Sequence, residues 1–161
     1  MDGMGYRNAQ KVYALASQGR FDRERDGVPV VNSLALHMML YMALTATDLE
    51  AADDNNPPRV YWAGWSKMAQ ELGMTPGVKD FTNHDLAEDD IKRIITTRKN
   101  TARNRLSQTA RWMREKGLIK QLVPANSYLG RNAAWLLLLG DDAENREVEA
   151  WARRCLGLPQ H

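Results

Sequence analysis

A lone cysteine, Cys155, is the whole thiol inventory of the chain. It excludes an internal disulfide and leaves no cysteine cluster for zinc, and the expected setting is a reducing, cytoplasmic one. Long apolar runs are missing too. The longest clean one, Ala133 to Leu139, falls far short of a bilayer span, and Met1 to Arg7 has no apolar stretch of a secretory signal, so no membrane partner is expected. There is no internal repeat and no low-complexity tail. The chain also lacks a glycine-rich phosphate loop, paired catalytic carboxylates, metal-ligand spacing and a cysteine–histidine arrangement. The expectation is a protein that is no enzyme and holds no metal or cofactor. His37 stands alone in an apolar run and reads as a core or boundary histidine. His84 beside Asp85 lacks a third partner. Glu50, Asp53 and Asp54 lack the spacing and the glycine of a calcium loop and read as a solvated linker.

What is present fits one domain with extensions: 161 residues, 43% of them hydrophobic. The expected division is residues 1–32 as an N-terminal extension with a short helix, 33–140 as the core, and 141–161 as a C-terminal helix. Ala9 to Ser17 has helical spacing and a glycine stop at Gly19. Arg20 to Gly27 alternates charge and reads as a solvated connector, followed by an extended Val28-Pro29-Val30-Val31. Asn32 or Ser33 caps a helix from Leu34 to Leu49, apolar almost all round and so central. Val60 to Ala63 reads as a short strand. Ser66 caps a helix from Lys67 to Leu72, stopped at Gly73. Leu118 to Val123 and Ala133 to Leu139 form a hairpin, and a last helix runs from about Ala143 to Leu156.

The stretch from Arg98 to Ile119 stands apart. It holds seven cations (Arg98, Lys99, Arg103, Arg105, Arg111, Arg114, Lys116) against one acid, Glu115. That net +6 sits in a chain of formal charge +2, leaving −4 for the rest. Ala102, Leu106, Thr109, Ala110 and Met113 make an apolar stripe, with Asn100, Asn104, Gln108 and Arg111 opposite. Gly117 supplies a left-handed stop. Ile91, Ile94 and Ile95 continue the stripe backwards, so the helix begins near Leu86 or bends near Arg98 to Asn100. Arg and amide side chains interleaved on one ridge suit a surface that faces phosphates and reads base edges.

The order is helix, short strand, helix, helix, hairpin. Trp65-Ser66-Lys67-Met68-Ala69-Gln70-Glu71-Leu72-Gly73 resembles the second helix of the winged helix-turn-helix superfamily. Arg105 to Ile119 is similar to its recognition helix running into the first wing strand, with apolar Leu106, Ala110 and Met113 before Gly117-Leu118-Ile119. The resemblance covers roughly Ser33 to Leu139. It departs from the usual pattern in the length of chain between the two helices, Met74 to Asn100. The implied fold is mainly α with a small β-hairpin: a winged helix-turn-helix with extra N- and C-terminal helices. Such helices build dimer interfaces in MarR-like regulators, which implies a homodimer. The general layout is also similar to winged-helix proteins of plasmids and phages, including replication initiators.

The resemblance implies double-stranded DNA as partner and a role in transcription regulation or DNA replication. Asn104, Ser107, Gln108 and Arg111 are then the base contacts. Arg98, Arg103, Arg105 and Arg114 hold the backbone, with Arg131 and Lys120 from the wing and Ser66 and Lys67 from the opening of the second helix. Trp112 is expected to pack against a neighbouring element. The alternative is a non-catalytic winged module whose basic face meets an acidic protein in a larger assembly.

Overall fold

The computed structural model describes residues 5–76, 81 and 85–160. Over the described residues the fold is mixed α/β, about 52% helical, with five helices and small antiparallel sheets. Helix α1 (Tyr6–Ser17) leads into a hairpin of β1 (Asp22–Arg25) and β2 (Val28–Val31). Helix α2 (Ser33–Thr45), a single 3-10 turn (Leu49–Ala51) and β3 (Val60–Tyr61) follow. Then come α3 (Trp65–Glu71), α4 (Glu88–Glu115), β4 (Ile119–Val123), β5 (Ala134–Leu137) and α5 (Asp142–Cys155).

The main sheet has the order β3-β5-β4, antiparallel throughout, and β5 is buried along its whole length. Strand alternation sends Trp135 and Leu137 to one face, and Ala134 and Leu136 to the other. The first face packs with Met38, Met39, Met42, Leu106, Met113 and Leu118 in the principal core. The second packs with Val60, Leu122, Val148 and Ala152, so α5 closes the back of the sheet. A fully buried side chain of this kind contributes about 1.5–3 kcal/mol. The principal core also holds Val12, Leu15 and Phe21, so α1 and the foot of the hairpin belong to the same packed body.

Helices α1 and α2 cap each other. No side chain of its own caps α1; instead the Asp48 carboxylate, after α2, accepts from the N–H of Asn8 at 2.8 Å and of Arg7 at 3.3 Å. Asn8 returns the favour: its Nδ2 donates to the carbonyls of Ala43, Ala46 and Thr47 at the end of α2. This explains why α2 stops at Thr45, four residues before the expected Leu49. Ala46 turns to extended geometry so that Asp48 can face α1.

Local readings differ from the structure at three further places. Arg20 to Gly27 is no mere connector, because it supplies half of the β1–β2 hairpin. Asp26 and Gly27 both adopt left-handed φ (52° and 78°), the turn chemistry that a two-residue hairpin needs. Ser66 does not cap α3; Gly64 occupies that position and Ser66 lies within the first turn. His37 is exposed on α2, neither core nor boundary. Helix α4 runs unbroken over 28 residues, roughly 42 Å. It ends in a Schellman motif, with Leu118 N–H on the Met113 carbonyl (2.9 Å), Gly117 N–H on Arg114 (3.0 Å) and Gly117 at φ 70°. The turn read at Pro76-Gly77 and the His84–Asp85 pair fall on Gly77 and His84, outside the described residues. Among the described residues no helix is long and apolar enough to cross a membrane, and no three His, Cys, Asp or Glu side chains cluster as a metal site.

Candidate nucleic-acid interface

Helix α4 builds the site by charge segregation along and around its axis. Its first turn carries Glu88, Asp89 and Asp90, favourable at the positive end of the helix dipole. Two of these are neutralised locally, Glu88 by Lys92 at 3.2 Å and Asp90 by Arg93 at 2.7 Å. From Arg98 onward the cations change character. Arg98, Lys99, Arg103, Arg105, Arg111 and Arg114 are all exposed, and none is in an ion pair with another described residue.

Around the axis, Ala102, Leu106, Ala110 and Met113 are buried. At about 100° per residue, Asn104, Gln108 and Arg111 lie on the far side of that stripe, with Ser107 beside them. All four are exposed. The flanking cations divide between two sides. Toward α3, a cleft of about 860 Å³ brings together Ser66, Lys67, Lys99, Asn100 and Arg103. Toward the N-terminal elements, a cleft of about 350 Å³ gathers Arg23, Asn32, Ser33, Arg105, Gln108 and Thr109. Arg98 borders a third cleft with Met74, Thr101 and Arg105. Gln108 therefore neighbours the hairpin foot, whereas Arg103 neighbours α3.

Arg114 is held by an aromatic column that sequence reading did not find. Rings meet in succession: Tyr41 edge-to-face with Tyr61 (5.9 Å between centroids), Tyr61 stacked with Trp65 (6.2 Å), and Trp65 tilted against Trp135 (5.5 Å). The Arg114 guanidinium lies over the last ring at 5.9 Å. The column crosses from α2 through β3 and α3 to β5, so it also fixes α3 against the sheet. Tyr61 Oη donates to the Gly64 carbonyl at 2.7 Å, at the entry to α3. Burial pushes the Tyr61 phenol well above its ordinary range, and Tyr41 adds to the effect. Burial and the nearby Glu71 raise Tyr41 despite its hydrogen bond with Thr45. Both rings are accordingly neutral packing elements. Trp112 is half-buried against the principal core and carries Lys116 over its ring at 5.8 Å.

The β4–β5 connection narrows at Asn126 and Arg131, whose backbones exchange two bonds of 2.8 Å. Arg131 is exposed at this neck, and beyond it Tyr128 is fully exposed and Leu129 71% exposed. Lys120 is also exposed, yet its ammonium is engaged: Nζ lies 2.8 and 3.0 Å from the two carboxylate oxygens of Glu149 on α5. The geometry thus gathers Ser66, Lys67 and Arg103 on one side of α4 and Arg105 with Gln108 on the other. Arg131 stands on the hairpin neck, and Lys120 is tied to α5. No family model matches the chain, and no curated protein or solved structure matches it significantly.

Proposed function

We propose that this chain is a cytoplasmic, non-enzymatic DNA-binding protein of the winged helix-turn-helix type, a transcription regulator or a plasmid or phage replication factor. In this reading α3 and α4 are the helix pair, and the β4–β5 hairpin is the wing. The arrangement α2, β3, α3, α4, β4, β5 with sheet order β3-β5-β4 supports it. One observation carries it: an exposed run of cations on α4, unpaired among the described residues and interleaved with amides. A major groove about 12 Å wide admits one α-helix. Asn104, Ser107, Gln108 and Arg111 then face base edges. Arg98, Arg103, Arg105, Arg114, Lys67, Ser66 and Arg131 meet the phosphates. A phosphate at Lys120 would have to compete with Glu149.

Selection from a random duplex pool, followed by mobility shifts across a salt series, tests the reading. Arg111→Ala or Gln108→Ala is expected to cost about 1–3 kcal/mol at a selected site and to relax sequence preference. Arg103→Ala is expected to weaken binding to all sequences and to lower the salt slope by about one. Unchanged preference in Arg111→Ala would overturn the base-reading assignment. Weak, salt-labile and sequence-blind binding by the wild type would favour the protein-interaction module instead. A homodimer would show as two half-sites about 34–36 Å apart.

A further inference from the structure

We propose that the β1–β2 hairpin is a second DNA-contacting arm, gripping backbone phosphates on the side of α4 away from Arg114 and Trp135. This rests on the DNA-binding reading above and extends it to a surface outside the helix pair and the wing. Four observations lead there.

First, the hairpin is rigidly founded. Phe21 is fully buried, Asn32 N–H bonds the Phe21 carbonyl at 2.8 Å, and the Asn32 side chain caps α2. Arg20 Nη2 donates to the Lys116 carbonyl at 3.4 Å, tying the foot to the end of α4. Second, the strand register sorts charge by face. Arg23 pairs with Val30 and Arg25 with Val28, so these four share one face; Asp22 and Glu24 go to the other with Val31 and Pro29. Over the hairpin as a whole the three acids Asp22, Glu24 and Asp26 outnumber the two arginines by one, so its attraction for a polyanion comes only from this segregation by face. Third, Arg23 and Arg25 are exposed and form no ion pair with another described residue. Fourth, Arg23 lines the same cleft of about 350 Å³ as Arg105 and Gln108 of α4. Arginines from two separate elements therefore border one cleft with a base-contact candidate. Arg105 and Arg114 are nine residues apart, half a turn round the helix, and Arg114 lies over Trp135 of β5. The hairpin and the wing sheet thus straddle α4.

A row of unpaired guanidiniums on one strand face, continuous with a cationic helix, fits the regular charge of a nucleic-acid backbone. Arg25 extends the row about 6.8 Å beyond Arg23. The test compares wild type, R23A/R25A and R23K/R25K, each as the full chain, on a duplex selected with the wild type, from 50 to 200 mM salt. Each phosphate contact contributes about 0.9 to the log–log slope. Loss of two is expected to lower the slope by nearly two, so that wild-type affinity falls about tenfold further over this range than the variant's. Sequence preference is expected to stay, and R23K/R25K to keep the wild-type slope. An R25C/C155S protein carrying an azidophenacyl group is expected to cross-link to the duplex. Duplex binding with an unchanged R23A/R25A slope and no cross-link overturns the arm alone. An equal loss in R23K/R25K also overturns it, since the charges would then not be the agent. Failure of the wild type to bind any duplex removes the DNA-binding reading and the arm together.

Discussion

Asp48→Ala is expected to be among the most damaging single changes outside the apolar core. The carboxylate is buried, 4% exposed, and bonds the N–H groups of Asn8 and Arg7 at 2.8 and 3.3 Å. A hydrogen bond to a charged group contributes about 1.5–3 kcal/mol, and a stretched, part-exposed one less. A carboxylate at a helix N-terminus adds about 0.3–1 kcal/mol through the dipole. Alanine also strands the buried Asn8 N–H, which loses its carboxylate acceptor. The expected cost is about 2–4 kcal/mol. For a chain of this size that lowers Tm by roughly 5–15 °C. Asp48→Asn keeps an acceptor and the shape, and is expected to lose about half as much. Urea denaturation followed by far-UV circular dichroism measures both, with an unchanged slope showing that the surface exposed on unfolding is the same. A double-mutant cycle with Asn8→Ala is expected to be non-additive, because both residues serve one junction. A loss below about 0.5 kcal/mol in Asp48→Ala would refute the reasoning, since it would equate the junction with an ordinary surface site.

Other consequences are equally direct. Arg59 is 1% exposed and meets Glu144 at 3.4 Å, while its Nε and Nη1 reach no acceptor among the described residues. Glu144→Gln is expected to destabilise by about 2–3 kcal/mol, below the range for fully buried pairs because Glu144 keeps contact with water, and Arg59→Met by less. The reverse order in thermal denaturation would show that the charge is not what makes the site sensitive. For Glu149, burial pushes its pKa up, but hydrogen bonds and charge from Lys120 and Arg153 win and hold it below the ordinary 4.5. A depressed carboxylate stabilises the fold above its unfolded value, and that contribution is lost as pH falls through the folded one. Stability of the wild type is therefore expected to drop more steeply than that of Glu149→Gln below about pH 4.5. Parallel curves of the two proteins would remove the ion pair from the account.

Elements whose pattern is local are legible in the sequence. The stripe from Ala102 to Met113 and the apolar run around Trp135 announced a helix with one apolar face and a hairpin strand, and both are observed. What escaped depends on partners distant in sequence or on weak local signals outvoted by stronger ones. Asp26-Gly27 is a hairpin signal, but the alternating charges around it read as solvent-facing connector. The end of α2 is set by α1, more than thirty residues away, through Asn8 and Asp48. Gly64 rather than Ser66 opens α3 because the Tyr61 hydroxyl holds the Gly64 carbonyl. At the candidate site, the outward placement of Asn104, Ser107, Gln108 and Arg111 follows from helical spacing. The neighbours that Arg103 and Arg105 meet, the platform under Arg114 and the engagement of Lys120 arise only once α3, the β1–β2 hairpin, the sheet and α5 are in place.

The lengthwise polarity of α4 has a steric corollary. A continuous helix of roughly 42 Å cannot stay along its whole length in a groove that winds away beneath it. Its tip, where Glu88 and Asp90 are paired with Lys92 and Arg93, would offer a polyanion little, while the stretch after Arg98 would be drawn in. Set against a duplex, the helix would pitch like a plank with its heavy end down, leaving the first three turns clear of the nucleic acid and open to a neighbour.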